Sequence, residues 1–510
     1  MIRKELTRDR SGRPIVGCES GKGEVRIFLG AGAHGDEPAG VLAALRLVSR
    51  FKDPDDFRFR RVPIRDPAGH VGFLTILSEL TGEKPPEKYE ELREFIKKHG
   101  REIYDDGILL LADYDKVIIA FAPPEDDKGE DAINDRIATA MSESSTVYEE
   151  LLGRHIFMPA NQPKSEGVGL YGRGFTSYVS KSGRLGNYNR FFGSPEAPPE
   201  VKAVQEFLDE FKPHYTIDMH EGYDDCFYVV LDELRDGIDY LLARPKVTSL
   251  RICSKEELER THNADAPWDG VIVYKIPDSL AGYATRYGHA ITTETGLKAP
   301  LQKRITAHMQ AFFNLLEVIK IEERVKTVEC MVKKAMSERP DDHGWSHVKR
   351  VKTLSMRTSK RLGADAFVVY LAALLHDIAS EIDRERHALI GAKIAKKILG
   401  EVGLEEYAER VAKVIEEHSR GEEPSNKESL ALKIADLLDA TGYIGAYRAI
   451  AYGARKGRDL NGFIKHANEK LLKIYERISK HTRDEEILAE AKRRHEELLR
   501  FVEVIREEGF

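Results

Sequence analysis

Hydrophobic and polar positions over residues 1–300 predict strands that alternate with helices. Residues 24–35 (EVRIFLGAGAHG) have the pattern of a buried strand that runs into a glycine-rich turn, and Pro38 follows where proline can begin a helix. Residues 214–220 and 288–296 are further β-rich runs that end in polar residues. Strands interleaved with helices predict an α/β sheet. The stretches 81–105 and 123–165 carry no suggestive chemistry, and we expect them to be insertions that decorate this sheet.

Helical periodicity dominates from about residue 301 to the end of the chain, where strand patterns vanish. The sequence therefore predicts two domains, an α/β domain over residues 1–320 and an all-α domain over residues 321–510. A length of 510 residues agrees with more than one hydrophobic core. The charged residues 456–510 are expected to form amphipathic helices that cover the second core or mediate self-association, so a homo-oligomer is possible.

Composition narrows the classes of partner. The net charge of -7 argues weakly against a nucleic-acid partner, whose phosphates attract basic surfaces. The chain has no apolar run of membrane-spanning length and no apolar signal core at its start, so we expect a cytoplasmic protein without a membrane partner. The four cysteines are scattered without a CxxC, which predicts neither a disulfide framework nor a thiolate zinc site.

Polar residues at the ends of three predicted strands form the first candidate site. His34 and Glu37 follow the first strand, and His220 ends a second. Two histidines and one glutamate suit a zinc ion that keeps a fourth position open for water. Glu294 ends a third strand and is the candidate general base. Alternatively, His34 and Glu37 belong to an ordinary turn at a helix start.

The motifs GAGAHGDEPAG, NYNRFF, IDMHEG and TTETG, in this order, resemble the zinc carboxypeptidase superfamily and its succinylglutamate desuccinylase/aspartoacylase branch. The resemblance covers about residues 20–300 and implies a mixed sheet with flanking helices. It implies that His34, Glu37 and His220 bind Zn²⁺ and that Glu294 is catalytic. It also implies that Asn189 and Arg190 bind the substrate's carboxylate, a task that suits a guanidinium group.

Three features depart from that family or stay open. Asn187 stands where the family has an aspartate that orients a zinc-ligating histidine. Arg173 and Arg184 are both candidates for the arginine that polarises the scissile carbonyl. Tyr283 is either a mobile tyrosine that covers the substrate or a packed core residue.

A second group of metal-binding residue types lies on the predicted helices. Adjacent His376 and Asp377 follow an apolar helical run, where burial is costly unless a metal or another partner uses them. The other members of the group are His347, His387, His418 and Asp436. Zn, Mn, Fe and Ni all suit imidazole and carboxylate ligands, so the metal's identity stays open.

The order H…HD…D resembles the HD superfamily of metal-dependent phosphohydrolases over about residues 325–455. The resemblance implies His347, His376, Asp377 and Asp436 as core ligands of a divalent metal. His387 and His418 match the additional histidines of two-metal members, in which the HD aspartate bridges the two metal ions. His343 precedes His347 and is expected only to flank the motif. Residues 435–453 resemble a subgroup of small bacterial HD hydrolases that is associated with nucleotide substrates. Lys349, Arg350 and Arg448 either meet phosphate oxygens or are solvated helix charges.

Together these patterns predict a bifunctional metal-dependent hydrolase that acts on small molecules. The first domain would cleave an amide or peptide bond next to a carboxylate. The second domain would cleave a phosphoester or phosphoanhydride, and a nucleotide is its expected substrate. Two alternatives stay open. Only the HD domain is catalytic and the first domain is a degenerate carboxylate sensor, or the HD domain binds a nucleotide as a regulator without chemistry.

Overall fold

The computed structural model describes residues 1–123, 129–160, 169, 171–222, 224–339, 344–383, 385–419 and 423–509. These residues form two compact units. The first comprises Met1–Glu233 and Ala243–Asn314, and the second comprises Leu234–Leu242 and Leu315–Phe510. The first unit is α/β and the second is helical, as the hydrophobic patterns predict.

The strands all belong to the first unit. In chain order they are β1 (Ile2–Arg8), β2 (Pro14–Gly21), β3 (Val25–Ala31), β4 (Phe57–Val62), β5 (Arg101–Asp105), β6 (Leu110–Asp113), β7 (Ile118–Phe121), β8 (His155–Pro159), β9 (Gly174–Val179), β10 (Leu185–Asn187), β11 (Tyr215–Gly222), β12 (Phe227–Leu231), β13 (Asp265–Trp268), β14 (Val271–Val273) and β15 (His289–Gly296).

Helices before residue 300 connect these strands, and a short 3-10 turn (Tyr188–Arg190) follows β10. In chain order they are α1 (Pro38–Arg50), α2 (Pro67–Val71), α3 (Phe73–Thr81), α4 (Tyr89–His99), α5 (Gly129–Glu143), α6 (Ser145–Leu151), α7 (Pro199–Phe211), α8 (Gly237–Ala243), α9 (Lys255–His262) and α10 (Leu280–Ala284).

Helices after residue 300 run to the end of the chain, with one π-helical turn (Ala467–Leu471) among them. They are α11 (Leu301–Met336), α12 (Trp345–Leu362), α13 (Ala366–Leu375), α14 (His387–Glu401), α15 (Glu405–His418), α16 (Lys427–Asp439), α17 (Gly442–Arg455), α18 (Leu460–His466), α19 (Ile474–His481) and α20 (Glu485–Gly509). Among the described residues, each helix is too short or too polar to span a lipid bilayer.

A mixed nine-stranded sheet carries the first candidate site. Its order is β1-β2-β4-β3-β11-β15-β12-β14-β13, and β3, β11 and β15 are parallel neighbours at its centre. The central strand β11 is buried along nearly its whole length, as is typical of parallel strands covered on both faces. The carboxyl ends of the three parallel strands therefore meet at one edge, where α/β sheets place their functional residues.

The two stretches predicted to decorate the sheet, 81–105 and 123–165, contribute the strands β5 and β8 to a second sheet that the sequence analysis did not predict. Strands β5 to β10 build a second sheet of six strands, in the order β10-β9-β8-β7-β6-β5. Its strands β6 and β7 are four residues each, and all their residues except Asp113 at the end of β6 are apolar. Such short buried runs lack the alternation that marks a half-buried strand, which is why the sequence pattern concealed them.

The second unit has a helix that is apolar on all sides at its centre. All ten residues of α13 are buried. A helix with no polar face is typical of a core element surrounded by other helices. The Asp365 side chain caps its start by accepting hydrogen bonds from the amides of Phe367 and Val368. His376 and Asp377 follow directly at its end, so this buried helix delivers them to the interior of the unit.

The structure corrects the expectation that no cysteines are paired. Cys226 and Cys253 form a disulfide with an S–S distance of 1.95 Å. Both are buried in a small apolar cluster that includes Leu258 and Ile272. Disulfide formation depends on spatial proximity, and the separation of 27 residues gave no motif from which to predict it.

Candidate metal centres

The first candidate centre brings together His34, Glu37 and His220. His34 and Glu37 lie in the loop between β3 and α1, and His220 lies in β11. The two oxygens of Glu37 face one histidine each: Oε1 is 2.6 Å from Nδ1 of His34 and Oε2 is 3.0 Å from Nδ1 of His220. One ligand atom from each residue lies within 4.8 Å of the others. Two imidazole nitrogens and a carboxylate around one point fit the donor set of a divalent metal with an open position.

Asp218 holds the far side of His220. Its Oδ2 is 2.9 Å from Nε2 of His220, and its carboxylate accepts two hydrogen bonds from Nη2 of Arg65, at 2.6 and 2.8 Å. Strand alternation explains the placement, because residues two apart on β11 point to the same face. A proton on Nε2 that is donated to Asp218 leaves the lone pair of Nδ1 facing Glu37 and the space between the candidate ligands. The sequence analysis missed both Asp218 and Arg65.

Buried charges dominate the electrostatics of this centre. Burial by itself would raise the pKa of Glu37, but His34 and His220 lower it well below its usual value. Burial would lower the pKa of His220, but Asp218 and Glu37 raise it well above the usual value. Burial would likewise raise the pKa of Asp218, but Arg65 and His220 lower it to about 2. An imidazole with a raised pKa must lose a proton before it binds metal, so metal binding here should weaken in acid.

Glu294 lies directly beside His220, because the register of β11 and β15 pairs the two residues. Burial raises the pKa of Glu294 to about 8, and the nearby Glu37 also raises it, whereas His220 opposes the shift. A carboxylate with a raised pKa is a stronger base once it is ionised, and a cation bound nearby would favour the ionised form. The geometry thus places the candidate base at the same sheet edge as the candidate ligands.

Asn189 and Arg190 lie on the 3-10 turn after β10. The Asn189 side-chain oxygen accepts hydrogen bonds from Nη1 of Arg65 at 3.1 Å and from the Leu280 amide at 2.9 Å. Its side-chain nitrogen is 3.3 Å from Nε2 of His220. Asn187 caps the turn by accepting from the Asn189 amide, and it makes no described contact with either histidine. Asn189 is therefore tied into the centre's supporting network, and Arg190 is the partly buried cation of the pair.

The two candidate carbonyl-polarising arginines differ in position. Arg173 lies two residues before Phe175, whose ring packs 5.3 Å from the ring of His34. Arg184 forms an ion pair with Asp278 and therefore has a carboxylate partner already. Tyr283 is buried and its hydroxyl donates to Asp209 at 3.0 Å, which agrees with the alternative of a packed core residue.

A buried ion pair lies next to His220 at the carboxyl end of β11. Glu221 follows His220, and both its carboxylate and the Arg304 guanidinium with which it pairs are buried completely. The other Glu221 oxygen accepts from the Ala39 amide at 2.6 Å, which ties β11 to the start of α1. Burial raises the pKa of Glu221 to about 7, although Arg304 opposes the shift.

The second candidate centre lies in the helical unit and consists of two groups of ligand atoms. One group is His347, His376 and Asp436, and the other is Asp377, His387 and His418. Nε2 of His347 is 3.1 Å from Nε2 of His376. Two nitrogens bound to one metal through bonds of about 2.1 Å would stand about 3.0–3.4 Å apart, so this spacing fits a shared ion.

Asp377 lies between the two groups. Its Oδ2 is 3.4 Å from Nε2 of His347 and 3.9 Å from Nε2 of His376, whereas its Oδ1 is 3.8 Å from Nε2 of His387. The rings of His387 and His418 stand 5.3 Å apart. One carboxylate with an oxygen directed at each group has the arrangement of a bridging ligand between two cations.

Backbone carbonyls fix two of these imidazoles. Nδ1 of His376 lies 2.9 Å from the Ala373 carbonyl, and Nδ1 of His418 lies 2.5 Å from the Ile415 carbonyl. A proton held on Nδ1 leaves the Nε2 lone pair available to a metal. Burial lowers the pKa of His376, and it lowers the pKa of His418 to about 4. Both imidazoles are therefore neutral near pH 7, the form that binds metal.

Asp439 completes the second centre, and the sequence analysis did not single it out. This buried carboxylate lies 2.8 Å from Nδ1 of His347 and accepts hydrogen bonds from Nε of Arg350 at 2.6 Å and from Nη1 of Arg448 at 2.7 Å. The two arginines are thus neither simple solvated charges nor free to bind phosphate in this arrangement. Lys349 is exposed on α12. His343 lies outside the described residues.

Comparison with known proteins assigns the helical unit. The HD domain family matches residues 344–441. YpgQ of Bacillus subtilis is 30% identical over 190 residues, which are 35% of this chain and 91% of YpgQ. The crystal structure of YpgQ in complex with ADP is 25% identical and covers 37% of this chain and 96% of its own, with a TM-score of 0.32. An HD-superfamily hydrolase from Bacillus thuringiensis is 29% identical over 37% of this chain and 97% of its own, with a TM-score of 0.31.

A much weaker likeness covers a larger share of the chain. A candidate metallopeptidase from Shewanella denitrificans is 13% identical, covers 62% of this chain and 82% of its own, and has a TM-score of 0.33. That likeness does not assign the first unit. The similarity to YpgQ and the match to the HD domain family assign the second unit. Through its C-terminal unit, the chain therefore belongs to the HD-domain family, a family of metal-dependent hydrolases.

Proposed function

We propose that the HD unit hydrolyses a phosphoester or phosphoanhydride, with a nucleotide as the substrate. The observation that carries the proposal is the position of Asp377 between two groups of ligand atoms. Divalent metals supply Lewis-acid stabilisation to phosphoryl oxygens when they are bound. The relative YpgQ has been crystallised with ADP, which supports a nucleotide as the substrate class here.

The residues of the chain have separate tasks in this proposal. His347, His376 and Asp436 hold one ion, His387 and His418 hold a second, and Asp377 contacts both. Asp439 fixes the proton of His347 on Nδ1, so that Nε2 faces the ion. His376 and His418, whose pKa values are lowered by burial, supply lone pairs without a competing proton near pH 7.

Metal stoichiometry tests the two-ion arrangement. The full chain should purify with, or take up, two divalent ions in the HD unit. Asp377→Ala should lose both ions and the release of phosphate from a panel of nucleotides, because each ion loses a ligand and the charge between the ions disappears. His418→Ala should lose one ion only. His481→Ala, which changes a histidine outside both ligand groups, is the matched control and should keep both ions.

The outcomes separate two forms of the proposal. A wild-type HD unit with one ion that His418→Ala leaves in place would reduce the centre to His347, His376, Asp377 and Asp436. An HD unit with full metal content that releases neither phosphate nor pyrophosphate from any nucleotide would overturn the hydrolase assignment and favour a nucleotide-binding regulator.

For the α/β unit, we propose a zinc-dependent hydrolase that cleaves an amide or peptide bond next to a carboxylate. The observation in its favour is that Nδ1 of His34 and Nδ1 of His220 each face one oxygen of Glu37. Glu294 on the neighbouring strand is the proposed general base. Arg190 is the proposed contact for the substrate's carboxylate, because a guanidinium group can meet it with two parallel hydrogen bonds.

Two variants separate metal binding from chemistry in this unit. His34→Ala should lose zinc, since two remaining ligands rarely hold it tightly. Glu294→Gln should keep zinc but lose turnover of N-acyl amino acid substrates, because an amide cannot accept the proton. Glu210→Gln, on the surface, is the matched control. If the α/β unit binds zinc and hydrolyses none of these amides, it is better explained as a carboxylate-binding sensor.

A further inference from the structure

A cavity of about 480 Å³ lies in the HD unit and opens between α12, the start of α17 and α20. Its walls carry four cationic side chains and two apolar ones. These are Lys349, Arg350, Arg357, Arg494, Leu354 and Ile444. Ser346, Lys349, Thr353 and Arg357 are spaced three or four residues apart, so they lie along one face of α12, and Arg350 borders that face.

Positive charge is in excess around this cavity. Asp439 is the acidic residue in its described lining, and it accepts hydrogen bonds from both Arg350 and Arg448. One carboxylate balances only one of these two guanidinium charges. Lys349 and Arg357 are exposed at the cavity, and neither forms an ion pair among the described residues. An anionic ligand would therefore meet Lys349 and Arg357, whereas Arg350 is held by Asp439 and Arg494 is held by Glu490.

Size and apolar walls narrow the class of anion. The volume lies within the range of about 300–1,000 Å³ that is typical of small-molecule sites, and it exceeds the needs of a single phosphate ion. Leu354 and Ile444 offer apolar surface, and the hydroxyl groups of Ser346 and Thr353 are also part of the lining. Charged donors together with apolar contacts suit a phosphorylated molecule that also carries a ring.

The cavity is separate from the metal centre. None of the six candidate ligands belongs to its described lining. The Asp439 carboxylate stands between the two, with Nδ1 of His347 on one side and the Arg350 guanidinium on the other. We propose that this cavity binds a nucleotide-sized phosphorylated molecule at a second site, distinct from the position where the HD unit would cleave its substrate.

Calorimetric titration of the full chain with ADP tests the proposal. The double variant Lys349→Ala with Arg357→Ala should weaken one ADP-binding event by about tenfold or more, because two charge-assisted contacts are lost. Lys393→Ala with Lys397→Ala removes the same charge from the exposed face of α14 and should leave that event unchanged. Asp377→Ala, which disrupts the metal centre, should also leave it in place.

A second variant and a second probe guard against misfolding and identify the ligand. Ile444→Trp keeps every charge but fills the apolar wall, so it should weaken binding of ADP more than binding of orthophosphate. Equal affinity for orthophosphate and ADP in the wild-type chain would overturn the requirement for a ring.

Two results would overturn the second site itself. One is the absence of any ADP binding by the wild-type chain. The other is ADP binding that disappears in Asp377→Ala and persists unchanged in the double lysine and arginine variant, since ADP would then bind only at the metal centre. Both readouts are binding measurements, so they are independent of whether the HD unit releases phosphate.

Discussion

Asp439→Asn is the most informative single change in the HD unit, because it keeps the size of the side chain and removes its charge. Asp439 is buried and lies against His347, Arg350 and Arg448. An amide has only one oxygen with which to replace two carboxylate oxygens. The two guanidinium groups should attract that oxygen, and the amide NH₂ should then face Nδ1 of His347.

The consequence for metal binding follows from the tautomer of His347. Facing an NH₂ donor, Nδ1 must accept, so the proton moves to Nε2, which is the nitrogen directed at His376 and Asp377. A protonated Nε2 cannot bind metal. Loss of a partner that orients a metal-binding histidine typically lowers metal affinity by about 10–100-fold, and we expect the same range here.

Stability should fall as well. Removing one partner of a buried ion pair typically destabilises a protein by about 3–5 kcal/mol. Because Arg350 is about one-third exposed, solvent screens its interaction with Asp439, and we expect a loss at the lower end, about 3 kcal/mol. Adding Arg448→Met should recover part of this stability but none of the metal affinity, because the tautomer of His347 stays wrong. The double variant thereby separates folding from ligation.

Manganese titration followed by electron paramagnetic resonance measures the affinity, and guanidinium chloride denaturation measures the stability. Asp459→Asn makes the same chemical change at an exposed helix cap and should alter neither strongly. A folded Asp439→Asn protein whose manganese affinity stays within about twofold of wild type would refute the tautomer argument.

Three further predictions concern the α/β unit. Burial lowers the pKa of His70 to about 4, below the value of about 6.5 in the unfolded chain. The contribution of His70 to stability is therefore complete above pH 6.5 and falls by up to about 3 kcal/mol as the pH drops towards 4. Between pH 7 and pH 5, the free energy of unfolding should change less in His70→Gln than in the wild type, as denaturation at the two pH values would show. Replacing Cys226 and Cys253 together by alanine should cost about 3 kcal/mol, given the 27-residue separation, and reductant should no longer affect the melting temperature. Arg304→Met should destabilise by about 3–5 kcal/mol, whereas the pair Arg304→Met with Glu221→Leu should recover most of that loss, as denaturation midpoints would show.

The sequence predicted that the residues of the first candidate site lie at one edge of a sheet, because a single topological rule places them there. Residues that end parallel strands meet at one sheet edge, and His220 and Glu294 are register partners on β11 and β15. The second sheet was missed because several of its strands are short, and two of them, β6 and β7, are almost entirely apolar and show no alternation. The disulfide was missed because its two cysteines are remote in sequence.

The residues that orient the candidate ligands were the hardest to predict. Asp218 stands two residues before His220 on a strand, and Asp439 stands three residues after Asp436 on a helix. Those spacings place each aspartate near a ligand, and they were a usable signal. The arginines that face these aspartates come from distant segments, and no local pattern identifies them. Arg65, for example, is separated from Asp218 by 153 residues.

The two candidate centres lie in unrelated folds but share one arrangement of buried charged residues. In the α/β unit Asp218 holds the far nitrogen of His220 and is held by Arg65, and in the HD unit Asp439 holds the far nitrogen of His347 and is held by arginines. A carboxylate fixes the imidazole tautomer, but an unpaired one would also favour the imidazolium form, which cannot bind metal. An arginine beside the carboxylate opposes that effect, although the pKa of His220 is still raised by Asp218 and Glu37. A buried His–Asp–Arg row with its outer imidazole nitrogen directed at further ligand residues is therefore a stronger sign of a metal centre than the ligand residues alone.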